Sequence, residues 1–250
     1  MWPHCHKAST RWPKVQSVMT NFETVIFDCD GVLVDSEVLA IRGERSVLVE
    51  LGLTYSPAEY VQKFVGLHDG AFFKELRADY YATHQRDAPT DFEETILAGR
   101  GRERNLLQPI ENADKALVAA RERFGHLGVA SSSRAHFLKS KLERTSLYDL
   151  AAPHVYSADL VAEGKPSPDI FLYTAEKMGV NPARCLVLED SANGVRAAIA
   201  AGMTAWGFLG GGHCYDGHGE RLLEAGAVAL MPSFAEFIAG LDDIRSTEPA

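Results

Sequence analysis

Two carboxylates with a spacing that suits phosphate chemistry follow the first apolar run of the chain. Asp28 and Asp30 stand two residues apart, directly after Thr24–Phe27. A carboxylate such as Asp28 can attack phosphorus as an anionic nucleophile. Asp30 can protonate the departing oxygen and then accept a proton from the water that hydrolyses the intermediate. The pair therefore predicts phosphoryl transfer through a covalent aspartyl-phosphate.

Three later segments offer groups that bind phosphate and metal. Ser131 and Ser132 follow a second apolar run, and Lys165 precedes a proline. Hydroxyl and ammonium groups can hold the equatorial phosphate oxygens, on which charge gathers during transfer. Glu189 and Asp190, together with the first aspartate, supply the hard oxygen ligands that Mg²⁺ prefers. We therefore expect Mg²⁺ as the cofactor.

Each of these segments has an ordinary structural explanation when it is taken alone. Asp-x-Asp-Gly is often a turn, Ser-Ser-Ser-Arg can begin a helix, Lys-Pro is a common loop dipeptide and Glu-Asp often precedes a helix. Three of the segments follow predicted strands of one parallel sheet, however, and the fourth lies in a loop before a helix. Ligands bind at the carboxyl ends of such strands. The combination favours an active site.

The elements that position these segments alternate between strand and helix. Short apolar runs predict four buried strands, at Thr24–Phe27, Leu127–Ala130, Cys185–Leu188 and Thr204–Phe208. Helical spacing predicts one buried face made of Ala113, Ala116, Leu117, Ala120 and Phe124, and another made of Ile170, Phe171, Thr174, Ala175 and Met178. This alternation is typical of an α/β fold with a parallel sheet covered on both faces.

The stretch between Ser36 and Leu107 has a different character, with helix signals and no convincing strand. Ser56-Pro57-Ala58-Glu59 and Thr90-Asp91-Phe92-Glu93 both have the pattern of a capping box, and Asp69 is a third candidate helix start. We expect residues 36–107 to form an all-helical inserted domain. Residues 21–35 and 108–250 would then form the sheet domain.

The composition argues against several classes of function. The formal net charge is −9, so a nucleic-acid partner is not expected, because such a surface repels a phosphate backbone. No run reaches the about 18 apolar residues of a membrane span, and a membrane partner is not expected either. The four cysteines show no C-x-x-C pairing, which is typical of reduced thiols in a cytoplasmic protein. The lack of a long dimerisation helix suggests a monomer.

The first residues of the chain have no periodic pattern. His4-Cys5-His6 could contribute to a metal site, but three adjacent residues cannot complete a tetrahedral site alone. We interpret residues 1–20 as a disordered extension, or as the product of a start codon upstream of a true start at Met19.

The motifs resemble those of the haloacid dehalogenase superfamily, specifically its β-phosphoglucomutase-like branch with a helical cap. The resemblance covers about Asn21 to Gly240 and is carried by FDCDGVLVDSE, VASSSR, GKPSPDIF and LEDSANGVRAAIAAGM. It implies a Rossmann-like core, a helical cap after the first motif and one Mg²⁺. By this resemblance the nucleophile is Asp28 and the general acid and base is Asp30, while Ser131 and Lys165 bind phosphate. The implied metal ligands are Asp28, the backbone carbonyl of Asp30, Asp190 and Glu189, the last directly or through water, with Asn193 supporting their loop.

Departures from related activities narrow the expected reaction. Haloacid dehalogenases of this fold lack an acid at the position of Asp30, since a halide leaves without a proton. In β-phosphoglucomutases the cap offers a histidine and an arginine, and the corresponding positions here are Ala40 and Asp69. Neither residue can hold a second phosphate, and Asp69 would repel one. We expect a phosphatase acting on a small sugar, sugar acid or polyol phosphate. The alternatives are a phosphomutase and, less favoured, a non-catalytic binding protein.

The helical insert must select the leaving group, because the other motifs recognise mainly the phosphoryl group. Arg42 and Arg45 lie three residues apart and would share a helix face, and His68 lies in a loop between predicted helices. These three residues are candidates for substrate specificity, with solvated surface positions as the alternative. Gly210-Gly211-Gly212-His213 follows the last predicted strand. It is either a plain connection or a flexible loop that contacts substrate or cap.

Overall fold

The computed structural model of the chain describes residues 22–64 and 69–245. Two compact units are present: residues 36–107, and residues 22–35 together with 108–245. The change of character at Ser36 and Leu107 in the sequence lies at the boundary between these units. The predicted extension at residues 1–20 lies outside the described residues. Within these residues, no helix is both long enough and apolar enough to cross a membrane.

The first unit is helical throughout, without a strand among its described residues. Its helices are α1 (Ser36–Glu50), α2 (Pro57–Phe64), α3 (Asp69–His84) and α4 (Phe92–Gly99), followed by a 3₁₀ turn at Arg104–Leu106. Leucine, isoleucine and aromatic side chains from all four helices form one buried cluster. Helices α1 and α4 approach very closely at Gly43 and Gly99, where a Cβ on Gly43 would lie 2.0 Å from the Gly99 carbonyl oxygen.

One of the two predicted capping boxes forms and the other does not. The Ser56 backbone N–H donates to Glu59 Oε2 at 2.7 Å, and the Glu59 N–H donates to Ser56 Oγ at 3.2 Å, so the box at the start of α2 is confirmed. The prediction of a box beginning at Thr90 was wrong. Helix α4 begins at Phe92, and its capping residue Asp91 makes no side-chain capping hydrogen bond. The chain turns at Pro89 instead, because the Pro89 carbonyl accepts the Phe92 N–H at 3.2 Å.

The second unit contains one parallel sheet of six strands. They are β1 (Thr24–Phe27), β2 (Gly128–Ser131), β3 (Val155–Ser157), β4 (Cys185–Glu189), β5 (Thr204–Phe208) and β6 (Ala229–Met231), in the order β3-β2-β1-β4-β5-β6. The central strands β1, β2 and β4 are buried along their whole length, as a parallel sheet with both faces covered requires. All four predicted strands are present. The short strands β3 and β6 were missed.

Helices cover this sheet, and alternate residues of β1 face opposite layers. The helices are α5 (Ala113–Phe124), α6 (Ala135–Arg144), α7 (Tyr148–Ala151), α8 (Asp169–Met178), α9 (Ala192–Ala200), α10 (His218–Glu224) and α11 (Phe234–Arg245). Ile26 packs in the cluster that includes residues of α8 and α9, whereas the Phe27 ring contacts Phe234 and Phe237 of α11. This alternation follows from the two-residue period of a strand. It leaves the polar residues beyond the strand ends free to form a site.

Candidate active site

The polar segments meet at the carboxyl ends of three adjacent strands. Asp28 directly follows β1, and its backbone N–H donates to the Leu188 carbonyl of β4 at 3.0 Å. Ser131 is the last residue of β2 and Glu189 is the last residue of β4. Strand β1 lies between β2 and β4: the chain runs from β1 to β2 and β3 on one side of it, and then crosses back to β4, β5 and β6 on the other side. Ligands bind at such a switch point in open α/β sheets.

Lys165 joins these segments from the loop before α8. Its ammonium donates to Asp28 Oδ1 at 2.5 Å, to Glu189 Oε1 at 2.6 Å and to the Ala130 carbonyl at 3.0 Å. Only 5% of the side chain is exposed. Burial acts against the charged ammonium, but the two carboxylates outweigh it and raise the pKa of Lys165. A lysine that stays charged beside a carboxylate at a strand end can bind an incoming phosphate oxygen.

Asp28 is buried in an environment rich in negative charge. Burial is the largest cause that raises the pKa of its carboxyl well above the usual value, and the Lys165 ammonium opposes it. Neighbouring carboxylates, those of Glu189, Asp190 and Asp30, raise the pKa further. A divalent cation beside these oxygens would reverse this effect and favour the carboxylate, which is the form that attacks phosphorus.

Asp30 is oriented by two residues that the sequence interpretation missed. Ser133 Oγ donates to Asp30 Oδ2 at 2.7 Å. The Lys141 ammonium donates to Asp30 Oδ1 and to Ser133 Oγ, the latter at 2.9 Å. Ser133 belongs to the serine triplet and could have been suspected. Lys141 is one of two lysines on α6, and no local signal distinguishes it from Lys139.

The serine triplet divides into residues with different surroundings. Ser131 is fully buried, and its Oγ accepts the Ser133 backbone N–H at 3.1 Å. Ser132 is exposed. Ser157, at the end of β3, donates its hydroxyl to the Ser133 carbonyl at 2.6 Å and so fixes this loop. The phosphate-binding roles of Ser131 and Ser132 stay predictions.

Glu189 is held by its own loop as well as by Lys165. Its Oε2 accepts the backbone N–H and the hydroxyl of Ser191, both at 2.9 Å. A Cβ on Gly194 would lie 1.7 Å from Glu189 Oε1, so this glycine is required for the close approach of α9. Asn193, expected to support the loop, is exposed and accepts a hydrogen bond from Arg196 at 3.2 Å. Ser191 provides that support instead.

Asp190 is contacted from the glycine-rich loop after β5 and from the first residue of α10. His213 Nε2 lies 2.9 Å from Asp190 Oδ2, and His218 Nε2 lies 2.7 Å from the Asp190 carbonyl oxygen. Although burial disfavours the imidazolium, the hydrogen bond with Asp190 raises the pKa of His213. Gly31 has φ +78°, and a Cβ there would lie 1.9 Å from Asp190 Oδ2. The loop containing His213 is therefore part of the site wall.

The donor set fits a hard divalent cation. Carboxylates of Asp28, Asp30, Glu189 and Asp190 gather at one edge of the sheet, and their charges outnumber those of Lys165 and Lys141 that contact them. Oxygen ligands of this kind suit Mg²⁺. Both Glu189 oxygens already accept hydrogen bonds from protein groups, so contact through a water fits this residue better than direct ligation.

A family model described as a haloacid dehalogenase-like hydrolase matches residues 22–202. This range includes Lys165 and all four carboxylates of the candidate site. The chain belongs to the haloacid dehalogenase-like hydrolases.

Relatives of the chain within the haloacid dehalogenase-like hydrolases include named phosphatases. A phosphorylated carbohydrates phosphatase of Thermotoga maritima is 31% identical over 84% of this chain and 94% of that protein. Hexitol phosphatase B of Escherichia coli is 32% identical over 71% of this chain and 79% of that protein. Within the family, the chain is a phosphatase enzyme.

Solved structures of haloacid dehalogenase-like proteins share the fold. A family hydrolase of Deinococcus radiodurans with bound phosphate and sodium is 33% identical, with a TM-score of 0.77, over 92% of this chain and 99% of that one. A protein of Thermotoga maritima described as a β-phosphoglucomutase is 30% identical, with a TM-score of 0.69, over 89% of this chain and 100% of that one.

The candidate specificity residues have partners within the helical unit. Arg42 forms an ion pair with Glu103 at 3.1 Å. Arg45 donates from Nε and Nη2 to the Tyr55 carbonyl at 3.2 and 2.7 Å, which ties α1 to the segment before α2. His68 lies outside the described residues. Substrate contact by any of these three residues stays a prediction for this hydrolase.

Proposed function

We propose that the protein is a Mg²⁺-dependent phosphatase that hydrolyses a small phosphorylated sugar, sugar acid or polyol through an aspartyl-phosphate on Asp28. The observation that carries the proposal is the contact of one buried ammonium, Lys165, with both Asp28 and Glu189 at the strand ends. A carboxylate beside an ammonium that can bind phosphate is what phosphoryl transfer to a protein side chain requires, and this contact therefore supports the proposal. The named carbohydrate and hexitol phosphatases among the relatives support the substrate class.

The first step uses Asp28 and Lys165 together. Asp28 attacks phosphorus, the bond from phosphorus to the departing oxygen breaks, and Asp30 gives that oxygen its proton. Lys165, 2.5 Å from Asp28 Oδ1, neutralises charge on the equatorial oxygens. In the second step Asp30 takes a proton from water, the water oxygen attacks phosphorus, and Asp28 is released with inorganic phosphate.

Asp30 is well placed for two successive proton transfers. Its carboxylate is fixed by Ser133 and Lys141, and 21% of the side chain remains exposed. An acid that meets both the leaving oxygen and the entering water must remain accessible. Residues Asp28, Asp190, the Asp30 carbonyl and Glu189, the last through water, would hold Mg²⁺. When bound, the cation would neutralise charge on the phosphoryl oxygens.

A phosphomutase is the second candidate, favoured by the 30% identical structure described as a β-phosphoglucomutase. A mutase must hold a bisphosphate intermediate and exclude water while the product turns over. The chain has Ala40 and Asp69 at the positions where that branch offers a histidine and an arginine. An alanine cannot bind a phosphate and an aspartate repels one. Hydrolysis therefore remains the better-supported reaction.

The decisive experiment measures release of inorganic phosphate from a panel of sugar, sugar acid and polyol phosphates with Mg²⁺. Asp28→Asn is the test variant, and Asp114→Asn, in the exposed first turn of α5, is the matched control. We expect release by the wild type and the control, near-complete loss in Asp28→Asn, and loss on chelation of Mg²⁺. Isomerised sugar phosphate without free phosphate would establish the mutase instead. Equal turnover by Asp28→Asn would refute the covalent mechanism.

A further inference from the structure

A cluster of two imidazoles and a thiol lies next to the proposed phosphatase site but supplies none of its reacting groups. It consists of His213, Cys214 and His218, which are 5%, 8% and 9% exposed. One potential ligand atom from each residue lies within 4.8 Å of the others. Imidazole nitrogen and thiolate sulfur are the ligands that Zn²⁺ takes in proteins, whereas Mg²⁺ prefers oxygen.

Unsatisfied nitrogens in both rings give an independent indication of a ligand. Nδ1 of His213 and Nδ1 of His218 are buried and have no hydrogen-bond partner among the described residues. A buried polar atom without a partner is unfavourable by about 1–3 kcal/mol, and two of them in adjacent rings are unusual. A bound cation would satisfy them.

The other nitrogen of each ring is held as metal-binding histidines usually are. His213 Nε2 contacts a carboxylate oxygen of Asp190 at 2.9 Å, and His218 Nε2 contacts the carbonyl oxygen of the same residue at 2.7 Å. In metal sites the nitrogen that does not bind the ion commonly donates to a carboxylate or a backbone carbonyl, which fixes the tautomer. One residue provides both partners here.

The thiol belongs to the same buried cluster as the two imidazoles. Cys214 Sγ lies 4.0 Å from His213 Nε2. A cysteine loses its thiol proton when it binds a metal ion.

We propose that His213, Cys214 and His218 form a second metal site, selective for a zinc-like transition-metal cation, with a water molecule as the fourth ligand. Tetrahedral Zn²⁺ with Zn–N and Zn–S bonds of about 2.0 and 2.3 Å separates its ligand atoms by about 3.3–3.6 Å. One nitrogen of each imidazole and the sulfur now lie within 4.8 Å of one another, so the three side chains would move together by about 1 Å when the ion binds. The glycines of residues 210–212, directly before His213, allow such an adjustment of the loop.

Co²⁺ titration of the metal-free protein tests the proposal, because a thiolate bound to Co²⁺ gives a charge-transfer absorption in the near ultraviolet. We expect the absorption to saturate at one equivalent, to persist in excess Mg²⁺ and to disappear when Zn²⁺ is added. Cys214→Ser is the test variant. Cys5→Ser is the matched control, because His4-Cys5-His6 is another possible source of a thiolate ligand.

The outcomes separate the two sources of thiolate. Loss of the absorption in Cys214→Ser and its retention in Cys5→Ser would support the site. An absorption unchanged in Cys214→Ser, absent from the wild type or abolished by Mg²⁺ would overturn it. Circular dichroism verifies that each variant is folded, and His218→Gln, which keeps the thiol, gives a second test through weaker Co²⁺ binding. Phosphate release by metal-free protein supplied with Mg²⁺ alone shows separately whether the phosphatase proposal holds.

Discussion

Replacement of Lys165 by methionine should destabilise the protein strongly as well as inactivate it. The ammonium lies 2.5 Å from Asp28 Oδ1 and 2.6 Å from Glu189 Oε1. The two carboxylates are 6% and 1% exposed, respectively. Removal of one partner of a buried ion pair leaves the other charge uncompensated, which lowers the free energy of unfolding by about 3–5 kcal/mol. Loss of the contact between the ammonium and the Phe171 ring, at 4.8 Å from its centroid, adds about 0.5–2 kcal/mol.

We expect the free energy of unfolding to fall by at least about 3 kcal/mol in Lys165→Met. Urea denaturation in the presence of a chelator measures this without a contribution from bound cations. Lys115→Met is the matched control: that lysine is exposed and contacts Asn112 Oδ1 at 2.9 Å. It should change stability by no more than about 0.5 kcal/mol.

A double-mutant cycle distinguishes lost charge compensation from lost packing. In Lys165→Met/Glu189→Gln, one of the two orphaned carboxylates is neutral, so the double variant should be more stable than the sum of the single changes predicts, by about 1–3 kcal/mol. Strict additivity would show that the charges are not coupled. A loss below about 1 kcal/mol in Lys165→Met alone would refute the reasoning that the buried ammonium compensates both acids.

Three further changes test separate parts of the structure. Gly43→Ala should destabilise the helical unit by about 1–3 kcal/mol, because the new Cβ would lie 2.0 Å from the Gly99 carbonyl oxygen; Gly164→Ala, where a Cβ meets nothing within 4 Å, is the control in thermal unfolding. Lys141→Met should slow release of sugar leaving groups by about tenfold, part of the roughly 10²–10⁴-fold that a positioned acid supplies, and should affect p-nitrophenyl phosphate less, so equal slowing of both substrates would contradict its role. Burial raises the pKa of the Cys185 thiol from 9.0 to about 12. The contribution of this shift to stability is complete below the pKa of the unfolded state and is lost as the pH rises through the pKa of the folded state. Cys185→Ala should therefore lose less stability than the wild type above pH 9, and parallel urea-denaturation profiles of the two proteins would contradict this.

The central part of the sheet could be predicted because parallel strands buried on both faces have continuous apolar runs. Thr24–Phe27 and Thr204–Phe208 coincide with β1 and β5, and the predictions for β2 and β4 differ by a residue at their ends. The edge strands β3 and β6 have three residues each. Such short segments are determined by pairing with β2 and β5 rather than by a pattern of their own.

The capping-box prediction was correct only where the first and the last residue of the motif each bond the backbone N–H of the other. At Ser56 the chain enters α2 with Pro57 at the first helical position, which presets the backbone and lets Glu59 close the box. At Thr90 the same type of pattern lies in a turn that begins at Pro89, and the helix begins at Phe92. A capping pattern therefore gives the presence of a helix more securely than its first residue.

The sequence could indicate that the candidate phosphoryl-transfer residues lie together because they follow the ends of adjacent strands, whatever the loops between the strands do. Lys141 and His213 escaped because they reach the site from a helix face and a late loop, across 111 residues to Asp30 and 23 residues to Asp190. Each of these two side chains orients a carboxylate and takes no part in the proposed bond changes. Strand topology determines where the candidate nucleophile and its acid lie, whereas several positions on the surrounding helices and loops can supply a side chain that orients them. The positions of the candidate reacting residues therefore follow from the order of the strands. The side chains that orient them become visible only in the three-dimensional structure.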